Sequence, residues 1–180
     1  MSETYRLVEM SADHWPDVAR IYREGIESGH ATFETEVPSW ERWDAAHLPF
    51  ARLIATVGEV VIGWAALSRV SAREVYSGVA EVSVYVANEW HGQGIGHVLL
   101  EALIKESESN GVWTLQASIF PENEASVRLH QHCGFRELGR RERIAKLRGI
   151  WPTRCYLNAV VIPLDSSKQD KELSGWHARI

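Results

Sequence analysis

Apolar and polar positions change their spacing several times along this chain, and each change marks the edge of an element. Tyr5-Arg6-Leu7-Val8 reads as a short strand, after which Ser11 and Asp13 open a helix carrying Val18, Ile21, Tyr22 and Ile26 at helical spacing. Pro38-Ser39 starts a shorter helix through Trp40 and Trp43. The apolar runs 53–57 and 60–67 are separated only by Gly58-Glu59, which predicts a hairpin and hence an antiparallel pair. Along 79–86 the alternation places Ala80, Val82, Val84 and Val86 on one face and Glu81, Ser83 and Tyr85 on the other, so the second face meets polar surroundings. A glycine-rich turn leads into a helix over 95–110, stopped by Asn110-Gly111, and then a strand over 113–119. A further helix over 123–133 stops at Gly134, and strands follow near 135–144 and 155–162. The order β-α-α-β-β-β-α-β-α-β-β predicts the α/β (α+β) class, a mixed sheet with helices on its faces.

With 180 residues, 45% of them hydrophobic, the chain has the size of one domain with a substantial core, assigned here to 1–162. Residues 163–180 lose the pattern and read as a polar tail, although Trp176 lies within it. Nineteen Lys+Arg against 24 Asp+Glu give a formal charge of −5 without long like-charge runs, which argues against a nucleic-acid binder. No apolar run reaches the roughly 18 residues of a membrane span and no basic-then-apolar leader opens the chain, so the expected location is the cytoplasm. Cys133 and Cys155 stand in no metal or disulfide spacing and are expected to be reduced structural thiols; no metal is expected.

Two segments carry candidate chemistry. His91-Gly92-Gln93-Gly94-Ile95-Gly96-His97 sets three glycines at alternate positions between a strand and a helix, where backbone amides and the helix N-terminus can meet a phosphate or pyrophosphate. Neither GxGxxG nor a GK[ST] P-loop fits it, and a tight strand-to-helix turn is the plainer reading of the same glycines. The second segment is Asn123-Glu124-Ala125-Ser126-Val127-Arg128-Leu129-His130-Gln131-His132-Cys133-Gly134-Phe135. Asn123 and His130 lie about two helical turns apart on nearly one face, with Ala125, Leu129 and Cys133 forming an apolar stripe. Taken singly, Asn123 would be a helix cap and His130 a satisfied interfacial histidine.

The first segment resembles the acyl-CoA pyrophosphate loop, [Q/R]xxGx[G/A], of the GNAT superfamily of N-acetyltransferases. Asn123-x-x-Ser126-x-x-Leu129-His130-x-x-x-Gly134-Phe135 is similar to that superfamily's second signature, in the right order and at the right separation. Ala31-Thr32-Phe33-Glu34-Thr35, Tyr76, the strand around Glu81 and Gly149-x-Trp151 resemble its phosphinothricin acetyltransferase branch, which includes acetyltransferases of methionine sulfone and methionine sulfoximine. The resemblance covers about residues 4–162. It departs at His91, where the loop usually begins with Gln or Arg, and at Thr153, where the branch usually has an aspartate.

The resemblance implies the GNAT fold, with a mostly antiparallel sheet and helices on both faces, and direct acetyl transfer from acetyl-CoA to an amine in a ternary complex. It makes Glu81 the candidate general base and His130 a candidate acid for the departing thiolate. Backbone amides at Val84, Tyr85 and Val86 would meet the oxyanion, those from His91 through Gly92, Gln93, Gly94, Ile95 and Gly96 to His97 the pyrophosphate, and Asn123 the pantetheine arm. An acceptor site between Phe33 and the loop 69–76 would use Phe33 and Tyr76 as walls and Arg73, more than Arg69, as a clamp for a substrate carboxylate. Trp40, Trp43 and Trp64 fit core or dimer packing, and the branch commonly forms homodimers. Competing readings are an acetyltransferase of another amine (aminoglycoside, polyamine or protein N-terminus) and a non-catalytic CoA-binding module.

Overall fold

The computed structural model describes residues 4–147, 149 and 151–161. Seven strands form one sheet in the order β1-β2-β3-β4-β5-β7-β6: β1 Arg6–Glu9, β2 Leu53–Val57, β3 Val60–Arg69, β4 Val79–Val86, β5 Thr114–Ile119, β6 Arg136–Arg141 and β7 Arg154–Val160. All neighbours pair antiparallel except β4 and β5. The helices are α1 Trp15–Ser28, α2 Trp40–Ala46, α3 Ile95–Ser109 and α4 Glu124–His132. Every element expected from the pattern is present. The expected tail at 163–180, with Trp176, lies outside the described residues.

Local chemistry explains the boundaries. Ser11 and His14 form a reciprocal cap over a short helical turn that feeds α1, and α1 ends at Gly29 in the left-handed region with φ 76°. The Ser39 hydroxyl accepts the Arg42 N–H to start α2. Gly58, with φ 59°, turns the β2–β3 hairpin.

Alternation along the central strands sorts the core into two layers. On one face Ala65, Leu67, Ala80, Val82 and Leu115 meet Leu99, Leu100 and Leu103 of α3. On the other, Val18, Ile21 and Ile26 of α1 join an aromatic cluster of Tyr22, Trp43, Trp64 and Tyr85. Trp43 and Trp64 are both 1% exposed, which settles them as core, while Trp40 stacks on Trp43 at 5.6 Å. One detail of the expected apolar stripe on α4 changes: Ala125 is exposed, and Val127 packs beside Leu129 and Cys133 instead.

One asymmetry matters for function. β4 pairs with β3 from Ala80 to Val86, but with β5 only at Val79–Glu81. Beyond Glu81↔Gln116 the parallel strands part, so one edge of 82–86 has no strand beside it among the described residues.

Candidate active site

The parting of β4 and β5 opens a cavity of about 140 Å³. Glu81, Ser83, Val84 and Tyr85 form one wall and Ala117, Ser118 and Ile119 the opposite one. Asn123, Ser126 and His130 of the α4 segment close an end, and Tyr22, Thr32 and Arg154 contribute from other elements. The structure therefore gathers Glu81, Val84, Tyr85, Asn123 and His130, distant in sequence, around one space.

Each group has a definable state. Burial raises the Glu81 carboxyl above its ordinary range, a shift only partly opposed by the positive charges of Arg154 and Arg141. A carboxylate moved upward in this way is better matched to taking a proton near neutrality. The His130 ring is 4% exposed and donates from Nδ1 to the Ser126 carbonyl at 2.8 Å. That bond fixes the neutral tautomer with Nε2 unprotonated, and Nε2 is buried with no hydrogen-bond partner among the described residues. Burial lowers the His130 pKa, so imidazolium is disfavoured. Asn123 caps α4 by accepting the Ser126 N–H at 3.2 Å while also facing the cavity, so the cap and the lining role coexist. Tyr85 is pushed upward by burial and stacks on Trp64 at 4.6 Å, which keeps it a neutral phenol.

The glycine loop is built differently. Gly92 and Gly94 have φ 74° and 82°, and open space lies where a Cβ would stand on either. Gly94 is the N-cap of α3, and no side chain caps that end. First-turn amides of a fifteen-residue helix are thereby left for a ligand anion. The loop side chains turn elsewhere: His91 donates from Nε2 to the Val86 carbonyl at 2.9 Å, and Gln93 donates to the Glu89 carbonyl at 3.1 Å. Ile95 is buried in the core, Gly96 faces Leu129, and His97 bridges Cys133 at 3.2 Å and Glu101 at 3.3 Å. Any anion here is met by main chain, and the His91 departure is absorbed as a brace between loop and strand. Cys133 and Cys155 are free, and burial pushes the Cys133 thiol up to about 11.

The profile of the Acetyltransferase (GNAT) family matches residues 15–135, which includes the parted strands, the glycine loop and α4. The chain belongs to the GNAT acetyltransferases. It is 30% identical over 159 residues to the L-methionine sulfoximine/L-methionine sulfone acetyltransferase of Pseudomonas aeruginosa, covering 84% of this chain and 92% of the relative. It is 31% identical over 145 residues to a phosphinothricin N-acetyltransferase of Streptomyces coelicolor, covering 76% and 85%. A solved phosphinothricin acetyltransferase from Sinorhizobium meliloti, in complex with AcCoA, superposes with a TM-score of 0.79 at 27% identity, covering 87% of this chain and 88% of that one. As a GNAT enzyme the protein is an acetyl-CoA-dependent N-acetyltransferase, and the uncapped α3 terminus with its open glycines suits the pyrophosphate of that co-substrate. Among the described residues no helix is long and apolar enough to cross a membrane, and no three His, Cys, Asp or Glu side chains cluster as metal ligands.

The expected acceptor contacts divide. The Phe33 ring lies 4.5 Å from the guanidinium carbon of Arg154, a cavity-lining residue, and 5.3 Å from the Phe120 ring, without lining the cavity itself. Arg73 and Tyr76 are exposed, pair with each other at 5.6 Å, and do not line the cavity. Arg154 was missed by the sequence reading. It is 6% exposed, opens β7 directly after Thr153, and no motif marks it; alternation sets it with Tyr156 and Asn158 on the face opposite the buried Cys155, Leu157 and Ala159, which reads as a polar face, so no local signal flags it.

Proposed function

We propose that this GNAT enzyme acetylates the amino group of a small amino-acid-like acceptor, of the methionine sulfone, methionine sulfoximine or phosphinothricin type, by direct attack in a ternary complex. The observation that carries the reading is the Glu81 carboxyl, raised by burial, at the point where β4 leaves β5. The names of the amino-acid-acetylating relatives support the substrate class.

Acetyl-CoA bound at the loop supplies an activated acetyl thioester. The remaining work falls to this chain. Glu81 accepts the proton of the acceptor ammonium, directly or through a water, so that a free amine lone pair faces the thioester. The unpaired main-chain N–H groups along 84–86 stabilise negative charge developing on the carbonyl oxygen. Asn123 orients the pantetheine arm. His130, neutral with a free Nε2, can give the sulfur only a proton that it has first accepted, which makes it a shuttle rather than a standing acid. Phe33 backs the acceptor wall from behind Arg154, and Arg73 with Tyr76 forms an outer contact on the exposed loop ahead of β4. We place the enzyme in the cytoplasm as a homodimer, consistent with the exposed apolar residues Leu138, Trp151 and Val160 near β6 and β7.

Thiol release from acetyl-CoA, followed across free amino acids, sulfones, sulfoximines, aminoglycosides, polyamines and peptides, tests the reading. Turnover concentrated on the free amino-acid group is the expected result. Turnover confined to polycationic amines or peptides would replace the proposed substrate class.

A further inference from the structure

Arg154 is a buried cation whose partners do not account for it. Its guanidinium carbon lies 4.5 Å from the Phe33 ring and 4.1 Å from the Phe120 ring, so two aromatic faces hold the group. Nε donates to the Ser118 hydroxyl at 3.1 Å. Nη1 is buried and has no hydrogen-bond partner, and Arg154 is in no ion pair, among the described residues. A guanidinium offers five N–H donors, and a charge buried this way is destabilising unless something pairs with it. Burial lowers the Arg154 pKa, and the groups that favour its charge are Glu81, across the same cavity and not ion-paired with it, and after it Tyr85.

The two groups thus face one small space from different strands, each favouring the other's charge without forming an ion pair. A zwitterion of the α-amino-acid kind carries an ammonium and a carboxylate one carbon apart, and its charges are opposite to those of the walls. We propose that Arg154 is a specificity-determining residue that binds the acceptor's carboxylate inside the cavity and so holds the amine toward Glu81. This rests on the acetyltransferase reading above. It moves the clamp from Arg73, which is exposed and screened by water, to a desolvated guanidinium fixed by Phe33 and Phe120. Planar two-point recognition of a carboxylate suits a guanidinium whose Nη1 is unused.

The test compares kcat/KM for methionine sulfone and for its carboxamide, in wild type, Arg154→Lys, Arg154→Gln and Arg73→Ala, with CoA affinity by calorimetry and thermal melting for each. Wild type should prefer the acid by about 100-fold, the scale of losing a charged hydrogen bond in a desolvated site. Arg154→Gln should collapse that preference by raising KM for the acid far more than it changes kcat, leaving CoA affinity unaltered. Arg154→Lys should recover part of the preference, since charge returns without the planar fork, and Arg73→Ala should retain the acid-to-amide ratio. Equal use of acid and amide by wild type would overturn the clamp while leaving the acetyltransferase reading intact, and needs no variant to fold. A ratio lost in Arg73→Ala but kept in Arg154→Gln would return the clamp to the loop. Thiol release with polyamines or peptides but with no amino acid would overturn the clamp together with the proposed substrate class, while acetyl transfer itself would stand.

Discussion

In the loop ahead of α3 the groups available to a ligand are main-chain amides, and the side chains of His91 and Gln93 turn back onto carbonyls of the loop and its strand. In the cavity beside β4 the unpaired edge of that strand is joined by side chains brought from β4, α4, β7 and the segment after α1. The first region depends on backbone angles that few residues tolerate, and the second on charges and tautomers set by burial. Substitutions should therefore fail in different ways: in the loop through ligand affinity, in the cavity through turnover and its pH dependence.

The largest separation is expected from Glu81→Gln. Loss of a general base typically lowers kcat by about 10²–10⁴-fold, and CoA affinity by calorimetry should be unchanged because the loop is untouched. The wild-type kcat should rise with pH through the elevated Glu81 pKa, since only the carboxylate accepts a proton, and the variant should lack that limb. Wild-type turnover in Glu81→Gln from pH 6 to 9 would place the base elsewhere.

Gly94→Val should show the converse. A β-branched residue at φ 82° costs about 1–3 kcal/mol of backbone strain, relieved by shifting the amides that face the anion. CoA titration should fall below detection in a chain whose far-ultraviolet spectrum remains native; retained affinity would detach the loop from the pyrophosphate.

A smaller effect distinguishes the charge-dependent region by stability. His130 has a folded pKa below its unfolded value near 6.5, so as pH falls through that value the unfolded chain binds the proton first and stability decreases. His47, half-buried against Trp43, acts in the same direction, while Glu81, shifted upward, opposes both. His130→Gln should lose less melting temperature than wild type between pH 7.5 and 5.5. An equal loss would show that the ring takes a proton as readily in the fold as in the unfolded chain.

The smallest effect sharpens the loop side. Gly96→Ala sets a helix-propensity gain of up to about 1 kcal/mol against a Cβ that would stand 3.1 Å from Leu129 Cδ2. Its effect should become more favourable in a Leu129→Ala background, measured as a double-mutant cycle of melting free energies. Independence of the two changes would mean that Leu129 already yields.

The same division explains what was legible in the sequence. Glycines between a strand and a helix announce themselves because the backbone need is local, and Asn123 and His130 could be paired because helical spacing is regular. Glu81 stood out as a carboxylate inside an apolar alternation. Arg154 did not, because its meaning depends on Phe33, Phe120 and Ser118, contacts made across the sheet and invisible to any local window. Closeness in sequence to Glu81 makes Arg73 the expected clamp, yet its loop leaves it exposed and stacked on Tyr76. Proximity along the chain stood in for proximity in space, and after a turn the two diverged.

The one-sided pairing of β4 has a further consequence, in isotope exchange. In an antiparallel ladder alternate residues point their amides to opposite sides, and beyond Glu81 only the side facing β3 has a partner strand. Deuterium uptake along 82–86 should then alternate, slow at one residue and fast at the next, within a single strand at the centre of the sheet. A molecule seated between β4 and β5 would slow the fast set alone, so the cleft carries its own occupancy record in every second amide.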